Sequence, residues 1–252
     1  MFASSLQALI FDVDGTLADT ESAHRAAFNQ AFAELGMDWH WDEALYTELL
    51  EISGGKERML HHWRQVQPDL LDLGGGVRDT VNRLHELKTA AYERAVQDGA
   101  VQLRPGVLRL IDVAHQEKLR LAIATTTSPV NIAALLRRAI GPDWKHYFMV
   151  IEDASTAPLK KPHPQVYLQT LARLDVPAEA CLAFEDSSNG LRAARAAGLA
   201  TLVTPNGFTA HHDFTGALRT LPSLQGVTPA HLRAWHADAP ACRPAPSLFS
   251  SD

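Results

Sequence analysis

Two cysteines in 252 residues are too few for a disulfide framework, and one of them, Cys181, lies in an apolar run that reads as a buried strand. A reducing compartment is therefore expected. Long hydrophobic runs are missing too: MFASSLQALIFDVDG has no basic flank, and its apolar stretch from Ala8 to Phe11 is too short for a signal peptide or a membrane span. Positive charge is in deficit, 23 Lys and Arg against 29 Asp and Glu, a formal charge of −6. That balance gives no overall attraction for nucleic acid or an anionic membrane, so an anionic substrate must be caught by a local basic pocket. The expectation is a monomeric cytoplasmic protein with no nucleic-acid or membrane partner.

What is present is a 46% hydrophobic chain, enough to bury a sizeable core in one large domain or two of ordinary size. Short β-type runs, ALIF (8–11), LRLAIAT (119–125), FMVI (148–151), CLAFE (181–185) and ATLVT (200–204), alternate with helical patterns. Such alternation predicts an α/β fold with a parallel sheet and helices on both faces. Helix boundaries are legible: one begins after Pro105-Gly106, one has Ser128 as N-cap and Pro129 in its first turn with Gly141 at its end, and one stops at Gly198.

Between Phe11 and Leu119 the chain runs far longer than one crossover helix needs, which predicts an inserted all-helical unit. Its first helix carries an apolar stripe of Ala27, Phe28, Ala31, Phe32 and Leu35 and stops at Gly36, a second pattern runs through VRDTVNRLHELKTAAYERAVQDG, and LGGGVR (73–78) reads as a loop or helix break. The predicted organisation is a core of residues 1–17 and 102–206, a helical cap of 18–101, and an extension of 207–252 with a short helix capped by Thr228 and then a proline-rich tail. There is no internal repeat.

The chemistry concentrates at predicted strand ends. Asp12 and Asp14 end the first strand, Thr125 the second, and Glu185 and Asp186 the fourth, while Lys161 follows the third by a loop. In open parallel sheets ligands bind at the carboxyl edge, so these residues converge on one cleft. Two carboxylates set two positions apart repel unless a cation, a shared proton or a reaction occupies the space between them. Asp12, Asp14, Glu185 and Asp186 make an all-oxygen environment suited to Mg²⁺. With the ion present, Asp12 can attack phosphorus, Lys161 and Thr125 can stabilise the phosphoryl oxygens, and Asp14 can serve as general acid and then base.

This set resembles the haloacid dehalogenase superfamily phosphatases with a helical cap: the family's D-x-D-G-T stands as Asp12-Val13-Asp14-Gly15-Thr16, its strand-end Ser or Thr as Thr125, its lysine as Lys161, and its acidic pair as Glu185-Asp186. The resemblance implies a Rossmann-like core, and magnesium held by the side chains of Asp12 and Asp186 and the backbone carbonyl of Asp14. GTLADTESAHRAAFNQAF, DWHWDEALY and SGGKERM further resemble the CbbY-type sugar phosphatases. That closer resemblance implies a small phosphorylated sugar, such as xylulose 1,5-bisphosphate, as substrate. It puts Glu21, His24, Tyr46, Gly54 and Lys56 around the sugar and its distal phosphate, with Thr16, Thr126, Thr127 and Ser128 also against the substrate. Two alternatives stay open: a phosphomutase of the β-phosphoglucomutase type, and a catalytically silent sugar-phosphate binding protein.

Some residues have plainer readings. Trp39 and Trp41 read as packing of the small helical core, Lys160 as a solvated lysine, and the pairs His61-His62 and His211-His212 as no zinc site, because no soft ligand stands near them in sequence.

Overall fold

The computed structural model describes residues 5–68 and 76–239. The strands are β1 (Ala8–Phe11), β2 (Arg120–Ala124), β3 (Val150–Glu152), β4 (Cys181–Glu185), β5 (Ala200–Val203) and β6 (Arg219–Thr220). All pairings are parallel, in the order β3-β2-β1-β4-β5-β6. The strands of the middle are apolar along their length because both faces are covered. Alternation along β1 sends Leu9 and Phe11 to one core cluster and Ala8 and Ile10 to the other. On the first face lie α5 (Val107–Gln116), α6 (Pro129–Ala139) and α9 (Pro229–Ala237); on the second lie α7 (Gln165–Leu174) and α8 (Ser188–Ala196). The second face is rich in small residues, Ala8, Ala122, Ala124 and Ala183 meeting Ala193 and Ala194, which lets its helices approach closely.

Between β1 and α5 the described residues form four helices, α1 (Glu21–Glu34), α2 (Glu43–Leu49), α3 (Gly55–Val66) and α4 (Gly76–Gln97). They share a cluster of Phe28, Phe32, Trp41, Tyr46, Met59, Trp63 and Leu84. Trp41 is fully buried and packs on Phe28 and Phe32, as the packing reading expected. The far half of α4, through Ala91, Tyr92 and Val96, joins the same cluster as Ile132 and Leu135 of α6, so the helical insert leans on the sheet domain.

The strand and helix expectations hold closely: β1 and β4 match to the residue, and α6 and α9 begin with proline behind Ser128 and Thr228 caps. Leu35 departs from its expected place in the stripe. It is the C-cap of α1, where the backbone leaves helical geometry, and is exposed. Of LGGGVR, 73–75 lie outside the described residues and 76–78 form the first turn of α4. The tail beyond residue 239, with Cys242, also lies outside them. No helix among the described residues is long and apolar enough to cross a membrane.

Candidate active site

β1 ends at Phe11, and the Asp12 amide still bonds across to the Phe184 carbonyl of β4 at 3.0 Å. The chain then turns at Gly15, whose φ of +77° lies in the left-handed region; a side chain there would also collide with the Asp186 carboxylate, its Cβ falling 2.2 Å from Oδ2. The turn thus brings the loop that carries Asp12 and Asp14 against the loop that carries Asp186.

Lys161 is the hub of the buried cluster. Its Nζ donates to Asp12 Oδ1 and Glu185 Oε1, each at 2.6 Å, and to the Ala124 carbonyl at 3.0 Å, and it lies over the ring of Tyr167. Tyr167, on α7, also donates its hydroxyl to Glu185 Oε1. Burial works against the lysine's charge, but Asp12 and Glu185 outweigh it and hold the ammonium above the ordinary lysine range. The acids are not relieved equally. Burial, offset by Lys161, still raises Asp12; burial, Asp12 and Glu185 push Asp186 well up; and burial, countered by Lys161, puts Glu185 at about 7.

Three buried carboxylates around one lysine leave a surplus of negative charge, and Asp12, Glu185 and Asp186 present oxygens within 4.8 Å of one another. An all-oxygen donor set with that surplus suits a hard divalent cation such as Mg²⁺. Within the set the two neighbours differ. Glu185 commits Oε1 to Lys161 and Tyr167 and lays Oε2 against Gly190, where a Cβ would sit 1.8 Å away; Asp186 is oriented by Asn206, which donates to Oδ2 at 2.8 Å.

Asp14 is held by a second chain of contacts. His24 Nε2 stands 3.0 Å from Asp14 Oδ1, and Lys88 Nζ 2.9 Å from His24 Nδ1. An ammonium only donates, so Nδ1 accepts and Nε2 carries the proton given to Asp14. Burial raises Asp14, but His24, Lys88 and Thr127 outweigh it and bring its pKa to about 2. Lys88 itself is lowered to about 8, chiefly by burial, with Asp14 acting the other way.

These groups line a cavity of about 380 Å³, roofed by the helical insert. The structure brings Asp12, Asp14, Thr125, Lys161, Glu185 and Asp186 together at its floor, with Thr126, Thr127 and Ser128 beside them and Glu21, His24, Gly54 and Lys56 on the insert side. It does not bring Thr16 or Tyr46 to the wall. Thr16 is buried behind it, and Tyr46 is buried with its hydroxyl donating to Glu21 Oε2 at 2.8 Å, so it supports a wall residue instead of forming the wall. Lys160 corrects another expectation: it lines the cavity, half-buried, with Nζ 3.2 Å from the Ala154 carbonyl.

Lys88, Tyr167, Arg58 and His85 were not legible as site residues. Lys88 and Arg58 look like ordinary helix-face cations, and Tyr167 like a core aromatic. His85 lines the cavity at a pKa lowered to about 4, first by burial and then by Lys88, Lys56 and Lys160, which marks this end of the cavity as electropositive.

Comparison with known proteins gives concordant findings. The family model for haloacid dehalogenase-like hydrolase matches residues 6–198. The chain is similar to the plasmid-encoded protein CbbY of Cupriavidus necator, 53% identical over 92% of this chain and 97% of that protein, and to CbbY of Rhodobacter capsulatus, 47% identical over 88% and 95%. Among solved structures it resembles a mutant CbbY from Rhodobacter sphaeroides in complex with xylulose 1,5-bisphosphate, with a TM-score of 0.84 and 42% identity over 90% of this chain and 99% of that one.

Proposed function

Because the chain belongs to the haloacid dehalogenase-like hydrolases, we propose that it is a magnesium-dependent sugar phosphatase that cleaves a small ketose bisphosphate, such as xylulose 1,5-bisphosphate, through an aspartyl-phosphate intermediate. The observation that carries this reading is the Asp12–Lys161–Glu185 cluster, facing the buried Asp186 and opposed across the cavity by the basic groups of the insert. Residues 1–17 and 102–206 act as the catalytic domain and 18–101 as a cap. Magnesium would be held by Asp12, Asp186 and the Asp14 carbonyl, and would supply charge neutralisation at the phosphoryl oxygens.

Lys161 holds Oδ1 of Asp12, leaving Oδ2 to attack phosphorus. Thr125 Oγ1 already accepts from the Thr127 amide, so its own hydrogen is left to donate to a phosphoryl oxygen. Asp14 is held ionised, the form that takes a proton from the attacking water in the second half-reaction. In the first half-reaction the approaching anionic phosphate raises the proton affinity of Asp14, which takes a proton from the substrate's phosphoryl group or from solvent and passes it to the leaving alkoxide as the P–O bond breaks. At the other end, Lys56 and Lys160 stand where a second phosphate would need cations.

The test is incubation with xylulose 1,5-bisphosphate or β-glucose 1-phosphate, with Mg²⁺ or with chelator. Phosphate released from the bisphosphate only with Mg²⁺ is the expected result. Isomerisation of glucose 1-phosphate primed by a bisphosphate would make the chain a mutase, and binding without turnover of either would make it a sugar-phosphate binder.

A further inference from the structure

The cavity has two ends built on different parts of the chain, and something must fix the distance between them. On the insert side the turn between α2 and α3 contributes Leu50, Ser53 and Gly54 to the wall and leads into Lys56. From within the insert this turn is held by Arg58, whose guanidinium donates to the carbonyls of Leu49 at 2.9 Å and Ile52 at 3.2 Å. From the sheet domain it is held by two further side chains. Asn189 Nδ2 donates to the Glu51 carbonyl at 2.9 Å and to Ser53 Oγ at 3.3 Å, while its Oδ1 accepts from Arg192 at 2.5 Å. His212 accepts the Ser188 amide at Nδ1, 3.3 Å away, and brings Nε2 3.1 Å from Glu51 Oε1, a charge contact without hydrogen-bond geometry.

Both side chains belong to segments that also set Asp186. Asn189 is in the first turn of α8, which starts directly after the Glu185-Asp186 pair, and His212 ends the turn that opens with Asn206, the donor to Asp186. Two neighbouring segments of the sheet domain, linked by the Ser188 amide on His212, therefore carry both the donor that orients a floor acid and the side chain that grips the roof turn facing it.

We infer that Asn189, with His212 as a weaker second point, is a positioning residue that sets the spacing between the reacting end of the cavity and the insert turn facing the distal end of the substrate, and so selects for bisphosphates of one length. This rests on the reading of the chain as a sugar-bisphosphate phosphatase. Asn189 is buried and its bond to Glu51 is to backbone, so it holds the main chain of the turn whatever the side chains do. Glu51 is half-exposed at its carboxylate, where solvent screens the His212 contact, so His212 contributes less.

The test measures kcat and KM for xylulose 1,5-bisphosphate and for p-nitrophenyl phosphate, which has no second phosphate, together with amide hydrogen exchange over 49–56. Asn189→Ala is expected to raise KM for the bisphosphate about five- to tenfold, with its kcat and the p-nitrophenyl phosphate kinetics changed less than about twofold. Exchange in 49–56 should quicken while α8 keeps its protection. His212→Ala should do the same to a smaller extent. Should Asn189→Ala fold poorly, Asn189→Asp keeps the size and the acceptor for Arg192 while removing the donor, and carries the same expectation. Equal changes on both substrates, or unchanged exchange in 49–56, would overturn the assignment. A wild-type enzyme that hydrolyses p-nitrophenyl phosphate but not the bisphosphate would instead remove the substrate reading, and the exchange measurement would still decide the grip.

Discussion

The floor and the roof of the cavity are built on opposite principles. Floor residues stand at the ends of buried parallel strands, their charges are desolvated, and Lys161 meets two carboxylates at 2.6 Å. Roof residues stand on helices and turns, and their cations take neutral partners: Lys56 donates to Asn82 and Arg58 to backbone carbonyls. A buried charge pair loses several kcal/mol when one partner is deleted, whereas an exposed cation such as Lys56 loses little. Substitutions in the floor should therefore act on the chemical step, and substitutions in the roof on affinity.

The largest expected effect is at the hub. Lys161→Met leaves Asp12 and Glu185 without their shared cation and removes a stabiliser of the phosphoryl oxygens, so kcat should fall about 10²- to 10³-fold, checked by steady-state phosphate release. A comparable change in KM with kcat intact would break the division between floor and roof.

Lys88 sharpens the comparison, because it lies on the insert but acts on the floor. Lys88→Met frees His24 Nδ1 and loosens the bond that aims His24 at Asp14. The expectation is a loss of roughly tenfold to 10²-fold in kcat, with KM little changed, since a misplaced general acid and base costs rate. Lys56→Ala, a true roof substitution, should raise KM for a bisphosphate about tenfold and leave that for a monophosphate nearly unchanged, read from parallel titrations of the two substrates.

Floor and roof also differ in how legible they are in sequence. Asp12, Thr125 and Glu185-Asp186 follow short apolar runs, and a parallel sheet puts every such strand end at one edge, so their convergence follows from the pattern. Lys88 and Asn189 act through contacts to residues 64 and 138 positions away, made by helices whose own periodicity says only which face is buried. Tyr46 shows the reverse failure: the motif around it resembles a substrate-facing one, yet the side chain is buried between Glu21 and Arg58. The two-residue strand β6 has too little apolar pattern to be read, and Lys160 looked solvated because nothing in its neighbours reveals the cavity beside it.

The smallest expected effect is thermodynamic and tests the floor alone. Glu185 is held at about 7 against an ordinary value of 4.5, with Asp12 and Asp186 also raised. A carboxyl raised on folding stabilises fully below its unfolded pKa and loses that contribution as pH climbs through the folded one. The cluster's contribution therefore shrinks between pH 5 and pH 8, while that of His85, held at about 4, grows over the same range, so the readout is the increment from the ion: Mg²⁺ should raise the melting temperature by a few degrees near pH 8 and by less near pH 5, as followed by calorimetry. No dependence of the Mg²⁺ effect on pH would show that the acid cluster does not hold the ion.

The most direct measurement is a single turnover of the bisphosphate, quenched in acid on the burst timescale and followed by peptide mass spectrometry. A phosphoryl group on the peptide that contains Asp12, absent in the Asp12→Asn enzyme, is the predicted result. Phosphate release that persists in Asp12→Asn, with no phosphorylated peptide in the wild type, would contradict it.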